Sequence, residues 1–169
     1  MPVDQRTEIV MRFLAIERDP AAFRDMQNSF NAEFGTLMHL ERVETFSEAI
    51  SALRNGQFDV ILLDMMSMQT RLSPDEAIGK VCRLAQNALV IALSGSGSVS
   101  DAVQAMRAGA HDYMTKPINM SVFNAHISEL GRRHGNAKAF NVGQNTAQVE
   151  QFEGFVGASA PMSAIYEQI

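Results

Sequence analysis

One cysteine, Cys82, stands in a chain of 169 residues; a lone thiol excludes an internal disulfide framework and fits a reducing cytosol. No apolar run reaches the length that spans a bilayer, and the N-terminus, Met1-Pro-Val-Asp-Gln-Arg6, lacks a signal-peptide core. Lys and Arg number 14 against 19 Asp and Glu, a net charge of −5, so neither a nucleic-acid surface nor a polybasic membrane patch is indicated. The histidines (His39, His111, His126, His134) lack metal-ligand spacing. Ser94-Gly-Ser-Gly97 lacks the third glycine of a dinucleotide loop and the Lys-Ser/Thr of a P-loop. No repeat of solenoid length recurs. These absences leave a soluble, cytoplasmic globular protein.

What is present is a core. At 46% hydrophobic residues, the chain can bury one good core and carry an appendage. The organising stretch is Phe58-Asp-Val-Ile-Leu-Leu-Asp64: a short apolar run that fits a strand buried on both faces and ends in a carboxylate. Residues 11–17 read as a first strand ending in acid. Asp19-Pro20 then opens a helix as N-cap and first-turn proline, with Phe23, Met26, Phe30 and Phe34 at helical spacing and Gly35 as its stop. A second strand is expected over 37–43. Thr45-Phe-Ser-Glu48 and Ser73-Pro-Asp-Glu76 have capping-box spacing before helices, and 65–72 between them reads as a loop. Strands follow at 88–93 and 111–115. The helix from Ser98 to Ala108 is expected to turn Val99, Val103 and Met106 inward, and the Asn119-capped helix carries Val122, Phe123, Ile127 and Leu130. Strand and helix alternate about five times, which argues a single doubly wound parallel sheet.

Such sheets bind ligands outside the carboxyl ends of their strands. The loops there bring Glu17, Arg18 and Asp19, then Asp64, Ser94 and Lys116. Acids that hold a hard cation, with a hydroxyl and an ammonium to steady phosphoryl oxygens, are the parts of a phosphoryl-transfer site. Asp64 taken singly also suits a plain loop cap.

As an ordered set, these residues resemble response-regulator receiver domains: the acid after the first strand, Asp64 after "FDVILLD", Ser94 in "VIALSGSGS", and Lys116-Pro117 in "AGAHDYMTKPI". The resemblance covers roughly residues 10–134 and implies a flavodoxin-like α/β fold with a five-stranded parallel sheet in the order 2-1-3-4-5. It makes Asp64 the phosphoacceptor for a histidine kinase and Ser94 the hydroxyl that meets the phosphoryl oxygen. Lys116 becomes the phosphate-pairing lysine, Tyr113 the aromatic switch and Pro117 a cis proline. Mg²⁺ would be held by Glu17, Asp64 and the carbonyl of Met66. The chain departs from the family pattern where the second metal-binding acid is Arg18, where Met68 replaces a proline, and where Leu72 replaces a glycine. A guanidinium opposes a divalent cation and suits a pair with Asp64, so weakened Mg²⁺ binding and slow or absent phosphorylation are expected.

Residues 1–134 thus form the expected receiver, and the polar stretch 135–151 reads as a linker or helix extension. Residues 152–169 resemble the opening of the AAA+ domain of sigma-54-dependent activators through Gly157, Ser159, Met162 and Tyr166. The chain is accordingly expected to be a fragment and not itself an enzyme. A homodimer is expected, and sigma-54 RNA polymerase and DNA would be met only through absent domains. Two alternatives stand beside this reading. One is a degenerate receiver that docks partners or dimerises without phosphoryl chemistry; the other is a flavodoxin-like cofactor enzyme.

Overall fold

A computed structural model describes residues 10–136, 138 and 139. The strands are β1 (Met11–Ile16), β2 (Met38–Val43), β3 (Val60–Asp64), β4 (Leu89–Ser94) and β5 (Asp112–Thr115). The helices are α1 (Pro20–Phe34), α2 (Phe46–Asn55), α3 (Pro74–Leu84), α4 (Val99–Ala108) and α5 (Met120–His134). The sheet is parallel throughout, in the order β2-β1-β3-β4-β5, as the resemblance implies. Every residue of β3 and β4 is buried, because helices cover both faces of the sheet.

Alternate strand residues feed two cores. On one face Phe13, Leu62 and Ile91 meet α1 and α5; on the other Leu14, Ile61 and Val90 meet α2, α3 and α4. The first core is built on an aromatic cluster in which Phe30 lies 5.4 Å from Phe13 and 5.1 Å from Phe123 between ring centroids. Edge-on contacts of this kind add to the burial of large rings.

The helix starts follow the expected chemistry. Asp19 caps α1 through the Ala21 N–H, and Asn119 caps α5 through the Val122 N–H. Ser73 and Glu76 close a full capping box. At α2, Thr45 accepts from the Glu48 N–H, while the Glu48 carboxylate accepts from the N–H of Glu44 instead of the cap residue. The loop after β3 begins with a short 3-10 turn, Met65–Ser67.

Helix α4 overturns one expectation. Val99 is 78% exposed, and Val103 and Met106 are also exposed, whereas Ala105 is fully buried. Ala108 is half-buried and packs with Ala105 in the second core, so the helix turns small residues inward. Val122 is likewise exposed, while Phe123, Ile127 and Leu130 pack inward as expected.

Beyond α5, Gly135 ends the helix with a positive φ, Ala139 is buried in the first core, and Lys138 pairs with Asp59 at 3.2 Å. The rest of the expected linker and the whole of 152–169 lie outside the described residues. No helix among the described residues is long and apolar enough to cross a membrane.

Candidate functional site at the carboxyl edge of the sheet

Five parallel strands end on one side, and the polar residues at those ends converge. Asp64 closes β3 and is buried; Glu17 follows β1 and is equally buried. Two carboxylates taken out of water beside each other need a common cation. Lys116, just after β5, supplies it: its Nζ donates to Glu17 Oε1 at 2.6 Å and to Asp64 Oδ1 at 3.0 Å. Burial alone would pull the Lys116 ammonium down. The hydrogen bonds to Glu17 and Asp64, with their charges, outweigh it and hold the pKa above the ordinary lysine value. The backbone locks this arrangement, since the Lys116 N–H donates to the Ser94 carbonyl at 3.0 Å. The Lys116–Pro117 bond is cis.

The other Asp64 oxygen is taken by a residue that the sequence did not bring forward. Ser67, only 4% exposed, donates from Oγ to Asp64 Oδ2 at 2.6 Å and accepts the Arg18 N–H at 2.8 Å. Its hydroxyl ties β3 to the loop after β1. The available signal was a hydroxyl three residues beyond a strand-end aspartate, a spacing suited to local side-chain bonding.

Arg18 does not pair with Asp64, contrary to expectation. Its side chain is exposed and Nη1 donates to Gln69 Oε1 at 3.2 Å. Lys116 already occupies the cationic position on Asp64, and burying a second, larger cation there would cost solvation without a free carboxylate to repay it. Asp19, beside Arg18, is engaged as the α1 N-cap, its Oδ1 accepting the Ala21 N–H at 3.0 Å.

Ser94, at the end of β4, faces a different acid. Its Oγ donates to Asp101 Oδ2 at 2.9 Å, and Ser96 Oγ donates to the same oxygen at 2.8 Å. Tyr113 packs against the second core with its phenolic oxygen buried and unpartnered among the described residues.

These donors make a weak site for a divalent cation. Of the expected ligands, Met66 would offer only its main-chain carbonyl, and Glu17 and Asp64 are the two acids, both buried. Each of their four oxygens already accepts a hydrogen bond, the last being Glu17 Oε2 from the Asp19 N–H at 3.1 Å. Among the described residues no group of three His, Cys, Asp or Glu side chains is placed to hold a metal ion. Mg²⁺ takes one or two carboxylates and fills its shell with water, and at this edge the Arg18 guanidinium opposes it where the family pattern has a further acid. Away from this edge, burial pushes the Cys82 thiol up to about 11, against a smaller pull from Arg83, which leaves it a poor nucleophile.

The model of the response regulator receiver domain matches residues 13–128. The transcriptional regulatory protein TcrA of Mycobacterium tuberculosis is 27% identical over 123 residues, covering 73% of this chain and 47% of that protein. The luminescence regulatory protein LuxO of Vibrio campbellii is 25% identical over 151 residues, covering 89% of this chain and 32% of that one. The chain therefore spans about half the length of these relatives or less. The beryllofluoride-activated NtrC4 receiver domain dimer shares the fold, with a TM-score of 0.60 and 24% identity over 73% of this chain and 98% of that one. With a sheet in the receiver order, a strand-end acid paired to a lysine and a family match over most of its length, the chain belongs to the response regulator receiver domain family.

Proposed function

We propose that this receiver accepts a phosphoryl group on Asp64 from a phosphohistidine of a partner histidine kinase. The observation that carries the reading is the buried Asp64 at the end of β3, held by Lys116 at 3.0 Å beside a hydroxyl-bearing strand end. Each carboxylate oxygen keeps a lone pair beyond the one engaged by Lys116 or Ser67. One such pair attacks phosphorus; the P–N bond breaks and its electrons leave with the imidazole, which takes a proton from water. An aspartyl phosphate results. Lys116 has three donors, of which Glu17 and Asp64 engage two; the third turns to a phosphoryl oxygen. The Arg18 guanidinium, open to solvent on the adjoining loop, adds positive charge for the incoming anion.

The reading extends to output. Residues 135–151 connect the receiver to 152–169, which begin an AAA+ domain of a sigma-54-dependent activator, and the receiver pairs with a second copy in the cytoplasm. The resemblance around Gly157, Ser159, Met162 and Tyr166 supports this, as does a relative whose match runs over 151 residues. Contacts with sigma-54 polymerase and DNA belong to segments beyond this sequence.

The test is intact mass after incubation with acetyl phosphate, with and without Mg²⁺. A single phosphate adduct is expected, absent from Asp64→Ala and changing little with Mg²⁺. Light scattering on the same samples reads the dimer. No adduct, under conditions where another receiver reacts, would overturn the reading.

A further inference from the structure

The loop Ser94-Gly-Ser-Gly-Ser98 curls its hydroxyls around one carboxylate. Ser94 Oγ and Ser96 Oγ both donate to Asp101 Oδ2, at 2.9 and 2.8 Å, and Ser98 Oγ accepts the Asp101 N–H at 3.0 Å. Ser94 Oγ also lies 3.0 Å from Ser96 Oγ and accepts the Ser96 N–H at 3.1 Å. A serine hydroxyl has one proton. Of the acceptors around Ser94 the charged carboxylate is the strongest, since bonds to an ionised acceptor are about twice as strong as neutral ones. The hydrogen bonds from Ser96 and then Ser94 hold the Asp101 carboxyl below the usual carboxylate range, so it is ionised at neutral pH. Ser94 itself is buried, at 2% exposure, while Asp101 is half-exposed. Meanwhile both Asp64 oxygens are served by Lys116 and Ser67.

We propose that Asp101 is a positioning residue that holds the Ser94 hydroxyl on α4, so that Asp101 and a phosphoryl group on Asp64 compete for one proton. The inference rests on Asp64 being the phosphoryl acceptor. It gives the serine-glycine loop a role: the loop parks the hydroxyl on the neighbouring helix until an acceptor of higher charge arrives. Phosphorylation must break the Ser94–Asp101 bond, and the strength of that bond sets how much phosphoprotein accumulates at a given donor concentration.

The experiment is a double-mutant cycle between Ser94→Ala and Asp101→Asn, read as the ratio of phosphorylated to free protein at fixed acetyl phosphate. Asp101→Asn keeps the shape and an acceptor oxygen but loses the charge. It should raise the ratio about three- to tenfold where Ser94 is present, the effect of roughly halving a charge-assisted bond. In the Ser94→Ala background the same substitution should raise it far less, because only the removed negative charge remains to act. An equal rise in both backgrounds would assign the effect to charge or to a loosened helix and overturn the proposal, as would no rise at all. These outcomes leave phosphorylation of Asp64 standing. Loss of the adduct from every form, wild type included, would instead defeat the acceptor reading and this inference with it.

Discussion

At Arg18 the backbone and the side chain act separately. The N–H holds Ser67, and through it Asp64, while the guanidinium reaches Gln69. Replacing the side chain therefore leaves the Ser67 bond in place. Arg18→Asp would add the third carboxylate beside Glu17 that a hard cation lacks here. The expected outcome is a Mg²⁺-dependent rise in phosphate adduct of about tenfold, a modest share of what a bound cation contributes to stabilising transferred charge. A yield that stays independent of Mg²⁺ would show that Arg18 is not what keeps the cation away. The strand-end residues Asp64, Lys116 and Ser94 were legible because each stands at a boundary between an apolar run and a polar loop. Ser67 was not, since its loop has no period and its importance comes from two bonds made across 3 and 49 positions of sequence.

Helix α4 shows what decides between two apolar stripes on one element. Val99, Val103 and Met106 lie along one stripe and Ala102, Ala105 and Ala108 along another. Hydrophobicity alone favours the bulky stripe for the interior. Ala105 and Ala108 instead enter the second core, where a close-packed interior takes small side chains without a void. The helix end is close-packed against α3. Gly109 has φ of 118°, and a Cβ there would meet the Cys82 Cβ at 3.3 Å on α3. Gly109→Ala should lower stability by about 1–2 kcal/mol, the penalty of forcing an L-residue into left-handed backbone. Urea unfolding reads it, and an unchanged midpoint would refute the strain.

Over the whole molecule, stability should carry the signature of His111. Its Nδ1 accepts the Val90 N–H at 2.9 Å, and its ring contacts His134 at 4.5 Å between centroids. Burial, and secondarily the charge of His134, hold the His111 pKa below the ordinary value. The unfolded chain then takes up the proton first as pH falls. Unfolding free energy is expected to be full above the unfolded histidine pKa of about 6.5 and to decline below it, since the unfolded state binds more protons there. Urea unfolding at neutral and mildly acidic pH measures the slope, and His111→Gln should flatten it. An equal slope in both proteins would remove His111 as the cause.

By itself the sequence determined the alternation of strand and helix, the caps at Asp19, Ser73 and Asn119, and the side of the sheet where the chemistry gathers. All of these follow from local spacing, since periodicity, capping and strand-end polarity each operate within a few residues. Only the tertiary structure decided which charges pair. Lys116 reaches Glu17 across 99 positions and Asp64 across 52, which leaves Arg18 to the solvent side. It also decided that Ser94 meets Asp101 and not Asp64, and that α4 buries its alanines. Pairing in a buried cluster is a competition among groups brought together by chain crossovers, and its outcome depends on distance and desolvation, which no local pattern encodes.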